Sequence, residues 1–245
     1  MLSDALLAQD DLKINWTEMP TYNTIMSLAA GVGLLLVVAF GRQLRDPETR
    51  IVPEGWSVAF AILGTILTTT GLHMTLTWPL ASGGFAFDNI IFGEPALGFG
   101  VLLLGAALVL WHRGRALLGA ENAQLAGRLD YLRQLAAPIS VFVFALGLAC
   151  FAIAAAGWTY TLFAAPPQEP ISGAFADYPL VEATFISGLY VLVGVGAVLF
   201  PFALRRFNRR LLTILGAAWG AAGVAFTLFG ALNFFTHIGL IVNTQ

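Results

Sequence analysis

Apolar residues in this chain gather into six stretches, each long enough to cross a bilayer, and the polar residues between them fall into loops of two kinds. A window of about 19 residues places the stretches near 22–40, 56–78, 95–112, 136–164, 181–203 and 211–238. A span needs roughly 20 apolar residues at 1.5 Å each, so the fourth and sixth stretches tilt or project beyond the hydrocarbon. The pattern predicts an all-α polytopic membrane bundle of six transmembrane helices, with residues 1–245 forming one integral membrane domain. Composition agrees: 58% of residues are hydrophobic, only 11% are charged, and the mean hydropathy is +0.80. A soluble domain carries about 25% charged residues.

The loops differ in charge. Arg42, Arg45 and Arg50 form one cluster, Arg113, Arg115, Arg128 and Arg133 a second, and Arg205, Arg206, Arg209 and Arg210 a third. With their five acidic residues these loops sum to +6, whereas the other segments set Lys13 against nine acids and sum to -8, which gives the overall net charge of -2. Arginine-rich loops stay on the cytoplasmic side. The expectation is a prokaryotic cytoplasmic (inner) membrane protein with both termini outside. This pattern also accounts for the basic residues without nucleic acid. The N-terminus lacks the basic start and apolar core of a cleaved signal peptide. The lone Cys150 excludes an internal disulfide.

Within the spans, Gly31, Gly33, Gly194 and Gly196 are read as close helix–helix contacts. Trp56, Trp78, Trp111 and Trp158 fall near predicted ends, where indole rings favour the interface. The 112–134 segment places Leu118, Leu125, Leu129 and Leu132 roughly on one helical face. That predicts a short amphipathic helix on the inner leaflet.

The chain also resembles itself at a spacing of about 86–88 residues: Gly71 to Leu76 matches Gly157 to Leu162, and Phe87 to Gly100 matches Phe175 to Gly188, with Glu94 falling on Glu182. The reading is three two-helix units, roughly 20–78, 94–164 and 181–238, in one orientation. Parallel repeats of this kind bracket a central site on the repeat axis.

Ionisable residues at or near the spans gather on the outer side. His73 lies about 17 residues into the second span, roughly 25 Å from its inner end. Glu94 and Glu182 begin the third and fifth spans, Asp88 and Asp177 precede them, and His237 ends the sixth. Two imidazoles with carboxylates suit a transition metal (copper or zinc) or a proton relay. The candidate metal set is therefore His73, Glu94, Glu182, His237 and Asp88. Each has a plainer reading. His73 is a packing histidine satisfied by Thr68, Thr69, Thr70 or Thr75. Glu94 and Glu182 stabilise helix dipoles, and Pro95 suits the first turn. His237 sits at the interface. There is no His-x-x-x-His pair, no phosphate loop and no nucleophile elbow. Three histidines with His112 on the inner side cannot supply two bis-histidine haems. One haem between His73 and His237 is conceivable but less favoured.

The stretch Gly-Leu-His-Met-Thr-Leu-Thr-Trp-Pro-Leu (71–80), then Phe-Asp-Asn-Ile-Ile-Phe-Gly-Glu-Pro (87–95), with Tyr-Asn-Thr-Ile-Met-Ser-Leu (22–28), resembles an uncharacterised prokaryotic membrane protein family, domain of unknown function 981. The resemblance implies a multi-span membrane protein and supplies no catalytic residues. Three functional expectations stand. The first is an integral membrane binding or transport protein with an outer-side His/carboxylate site for a metal ion or proton. The second is a non-catalytic subunit of a larger respiratory or oxygenase complex, packed against other membrane subunits or further copies of itself in the lipid bilayer. The third is a membrane redox protein holding haem, copper or quinone. Catalysis is not the leading expectation.

Overall fold

In a computed structural model of the chain, residues 23–46, 48–77, 87–118, 125–206 and 208–244 are described. Six long helices carry nearly all of them: α1 (Asn23–Gln43), α2 (Pro53–Leu76), α3 (Glu94–Leu118), α4 (Leu125–Thr159), α5 (Pro179–Arg206) and α6 (Arg209–Thr244). A π turn, Asn89–Gly93, leads into α3, and a 3-10 turn, Ser172–Phe175, lies between α4 and α5. No strand occurs among the described residues. All six helices are long and apolar enough to cross a membrane. Their outward faces carry Ile62, Leu108, Val141, Phe235 and Leu228 in the open. In water such faces would drive aggregation. The arrangement is compatible with a multi-pass membrane protein.

Local chemistry explains where the helices begin and end. Pro53 occupies the first turn of α2, where its missing N–H costs nothing. α6 has 36 residues, about 54 Å at 1.5 Å each. It therefore outruns a hydrocarbon layer of roughly 30 Å, as expected for the sixth stretch. The 112–134 segment departs from expectation. Among the described residues no separate surface helix forms there: α3 continues to Leu118 and α4 already begins at Leu125. Leu118 is buried against the α2–α3 core and Leu132 packs on the same cluster. Those leucines face protein, and a buried protein surface satisfies a leucine stripe as well as a leaflet does.

The bundle is assembled from three closely packed antiparallel pairs, α2 with α3, α4 with α5, and α1 with α6. α5 also packs on α6, and α1 on α2, whereas α3 and α4 barely touch. Lipid provides little hydrophobic drive between helices, so close backbone approach at small residues holds them together. Gly64 of α2 lies against the Gly100 carbonyl of α3, and Gly100 lies on Thr68. Gly71, one turn beyond Thr68, rests on Leu97 and Gly93. The α1–α6 pair has the same construction. Gly223 and Gly31 abut each other's carbonyls, Gly31 lies on Thr227, and Gly230 rests on Leu28. In α4–α5 the counterpart is Gly147 with Gly194. Gly33 against Phe99 and Gly196 against Trp219 complete the contacts expected of the interior glycines.

The tight pairs are offset by one helix from the sequence-based units. Those units joined helices through the arginine loops. The closest contacts instead join helices through the opposite loops, and α1 and α6, distant in sequence, form the third pair.

Every arginine among the described residues sits at one end of the bundle, which is sealed by the Arg115–Glu54 ion pair, the Trp56 Nε1 bond to Gln43 at 3.1 Å and the Phe40–Trp56–Phe60 ring cluster. Trp56 thus packs inside the protein while reaching a polar partner. The other end, hereafter the far end, carries Asp88, Glu94, Glu169, Asp177 and Glu182.

Candidate functional site: an imidazole–carboxylate cluster at the far end

The segment between α4 and α5 is built by its backbone. Leu162 N–H bonds to the Gly157 carbonyl at 3.0 Å, with Thr161 at φ 50°. This closes α4 with a left-handed cap, a place usually given to glycine. Phe163 (φ 74°) and Ile171 (φ 69°) are also in the left-handed region, and these three are the only non-glycine residues of that kind among the described residues. Bulky and β-branched residues pay for such angles, so tertiary contacts must hold them there.

Contacts with the π turn, α4, α5 and α6 do so. The Phe163 ring lies 6.1 Å from Phe92 and touches Gly157. The Ala165 N–H donates to the Glu182 carboxylate of α5. Asn243 of α6 donates to the Gln168 carbonyl at 2.8 Å, and Pro170 packs on Gly239. Glu169 Oε1 lies 3.7 Å from His237 Nε2, with only 10% of the Glu169 side chain and 19% of the His237 side chain exposed. Glu169 and Glu182 are electrostatic neighbours, and Ser172 reaches Glu182 by its side chain. The buried His237 Nδ1 has no hydrogen-bond partner.

Glu169, Glu182 and His237 therefore meet over the ends of α5 and α6. Glu169 links the other two: it lies beside the imidazole with both side chains largely out of water, and within electrostatic reach of the half-buried Glu182 carboxylate. Every described cation other than histidine stands at the opposite end. Such a group holds an uncompensated negative charge unless it takes up a proton or a cation.

The five sequence-derived metal candidates separate. Glu182 and His237 join this cluster. His73 and Glu94 are exposed on α2 and α3. The hydroxyls of Thr69, Thr70 and Thr75 bond back to Thr65, Ile66 and Gly71 carbonyls at 2.9, 2.6 and 2.8 Å. Asp88 lies before the π turn as an electrostatic neighbour of Tyr190, and burial pushes its carboxyl up to about 7. Among the described residues no three His, Cys, Asp or Glu side chains are disposed to hold a metal ion.

Two participants escaped the sequence reading. Glu169 sits in Pro166-Pro167-Gln168-Glu169-Pro170, where the first copy of the internal resemblance has Ser82-Gly83-Gly84. That break in the repeat was the available signal. Tyr190, fully inside the bundle, donates to the Ile91 carbonyl of the π turn at 2.6 Å. Nothing in an apolar helix distinguished it.

The chain belongs to the family described as "protein of unknown function (DUF981)", whose sequence profile matches residues 19–239. No curated protein and no solved structure matches it.

Proposed function

We propose that this protein is an integral membrane binding or transport protein that takes up a proton at its far end, on the Glu169–Glu182–His237 cluster. Its setting is a prokaryotic cytoplasmic membrane, with the arginine end inside and the far end and both termini outside, because arginine-rich loops remain cytoplasmic. The observation that carries the reading is the nearly buried Glu169 between an imidazole and the half-buried Glu182, with no described Arg or Lys at that end. Imidazole exchanges protons close to neutral pH, and two neighbouring carboxylates favour sharing one.

A proton is favoured over a metal ion because the clustered groups come as one imidazole and two carboxylates, of which Glu182 is already engaged by the Ala165 amide and Ser172. Buried polar side chains also crowd the far half: Thr24, Asn89, Ser187, Asn233 and Thr236, against Ser57 and Ser140 toward the arginine end. This distribution supports a site open to one side rather than a wide aqueous channel.

The test is a proton count. Detergent-purified protein is jumped from about pH 8 to about pH 5 against a pH-sensitive dye. Wild type should bind more protons than the combined Glu169→Gln, Glu182→Gln, His237→Asn protein, by about one to two: one shared by the carboxylates and one on the imidazole. Equal counts would remove the proposal.

A further inference from the structure

We propose that residues 160–178 form a cap that opens and closes with the protonation of the cluster beneath it, an inference that rests on the proton-binding reading and adds regulation to that site. The cap is held by contacts of two sorts. Asn243 to the Gln168 carbonyl and Pro170 on Gly239 do not change with pH. The Glu182–Ala165 N–H bond and the Glu169–His237 contact do. Opposing them is the backbone of Thr161, Phe163 and Ile171, all at positive φ. Each such residue is held in a strained conformation, so weakening the tethers favours release of the segment.

What the cap covers is polar. The Phe163 ring and the Ser187 hydroxyl both press on Gly157. Ser187 and Thr236 are entirely buried, and their hydroxyls have no hydrogen-bond partner. Buried hydroxyls without partners call for water or a ligand, and lifting Phe163 would open a way to Ser187.

The titratable groups facing the cap among the described residues are Glu182 from α5 and His237 from α6; the cap itself carries Glu169, which meets them, and Tyr160, Asp177 and Tyr178, which are exposed. Glu182 holds the Ala165 amide best as a carboxylate. The Glu169–His237 pair attracts only while Glu169 is ionised and His237 is protonated. The cap is therefore tightest between the titration of the carboxylates and that of the imidazole, and it loosens on both sides.

The experiment is hydrogen–deuterium exchange of the full chain in lipid nanodiscs across pH, normalised for intrinsic exchange rates. The amides of 160–178 should show a bell-shaped protection profile. Loss of a charge-assisted bond corresponds to roughly tenfold faster exchange. Glu182→Gln should lose the acid limb that this carboxylate supplies, and His237→Asn the alkaline limb. Amides of α2 and α3 serve as the folding control. A Ser187→Cys, Cys150→Ala protein adds a second reading: its maleimide labelling should follow the inverse profile. Protection that is flat with pH, or that changes in parallel throughout the protein, overturns the cap. If the proton count above still falls in the triple variant, the binding site stands and only the cap fails.

Discussion

The α1–α6 contact gives the sharpest packing prediction, because one methyl group at Gly31 has nowhere to go. A Cβ there would lie 2.5 Å from both the Thr227 amide nitrogen and its hydroxyl, and 2.8 Å from the Gly223 carbonyl oxygen. Ordinary contact begins at 3.4 Å. The obstacle includes backbone, so the helices must part by about 0.9 Å, the difference between those distances. A gap of roughly 0.5–1 Å forfeits a quarter to a half of each dispersion contact along the seam, and overpacking of this kind costs about 1–3 kcal/mol. Alanine returns about 1 kcal/mol of helix propensity. Gly31→Ala should thus destabilise the fold by up to about 2 kcal/mol. Gly41→Ala, in the same helix with no heavy atom within 4 Å, isolates the propensity gain and should be neutral or stabilising. Because the propensity gain is common to both, reversible unfolding in mixed detergent–SDS micelles should separate the two variants by the overpacking cost, about 1–3 kcal/mol. Equal midpoints would refute the seam and, with it, the pairing of the first helix with the last.

Two further outcomes follow from the buried polar groups. With its carboxyl raised to about 7 from an ordinary 3.8, Asp88 binds a proton in the fold at pH values where the unfolded chain has lost it. Stability should therefore fall as pH rises from about 4 to about 7, by at most about 4 kcal/mol. Asp88→Asn should flatten that slope in denaturation series across the range, and a slope that survives contradicts the assignment. Tyr190→Phe removes the buried hydroxyl donor to the Ile91 carbonyl, a loss of about 1 kcal/mol. An unchanged unfolding midpoint would show that the bond contributes nothing.

How much of this was legible in the sequence depended on the kind of signal. Length and hydropathy marked all six helices, since a span must be apolar along its whole length. The ends were less visible. Leu118 and Leu132 lie on a stripe that suits a leaflet or a core equally, and α3 and α4 took them into the core. The glycine contacts were readable at Gly31 and Gly196 because small residues in long apolar runs have few other uses. Their partners were not, and the pairing of α1 with α6 depends on residues about 190 apart. The candidate site was half readable. Glu182 and His237 stand near helix ends, where periodicity places them at the same level. Which residues meet them depends on the path of the 160–178 segment, and left-handed turns at Thr161, Phe163 and Ile171 leave no mark in residues that rarely adopt them. Glu169 could therefore not be assigned, whereas His73 and Glu94, equally plausible by composition, lie on outward faces of their helices.

The central claim is that His237 shares its proton equilibrium with Glu169 and Glu182. It is tested most directly by following the three histidine side chains by 15N NMR through a pH titration of the full-length protein in detergent micelles, in wild type and in Glu169→Gln and Glu182→Gln. The account predicts that both substitutions move the midpoint of the His237 curve and leave those of His73 and His112 in place. His237 curves that superimpose in all three proteins would contradict it.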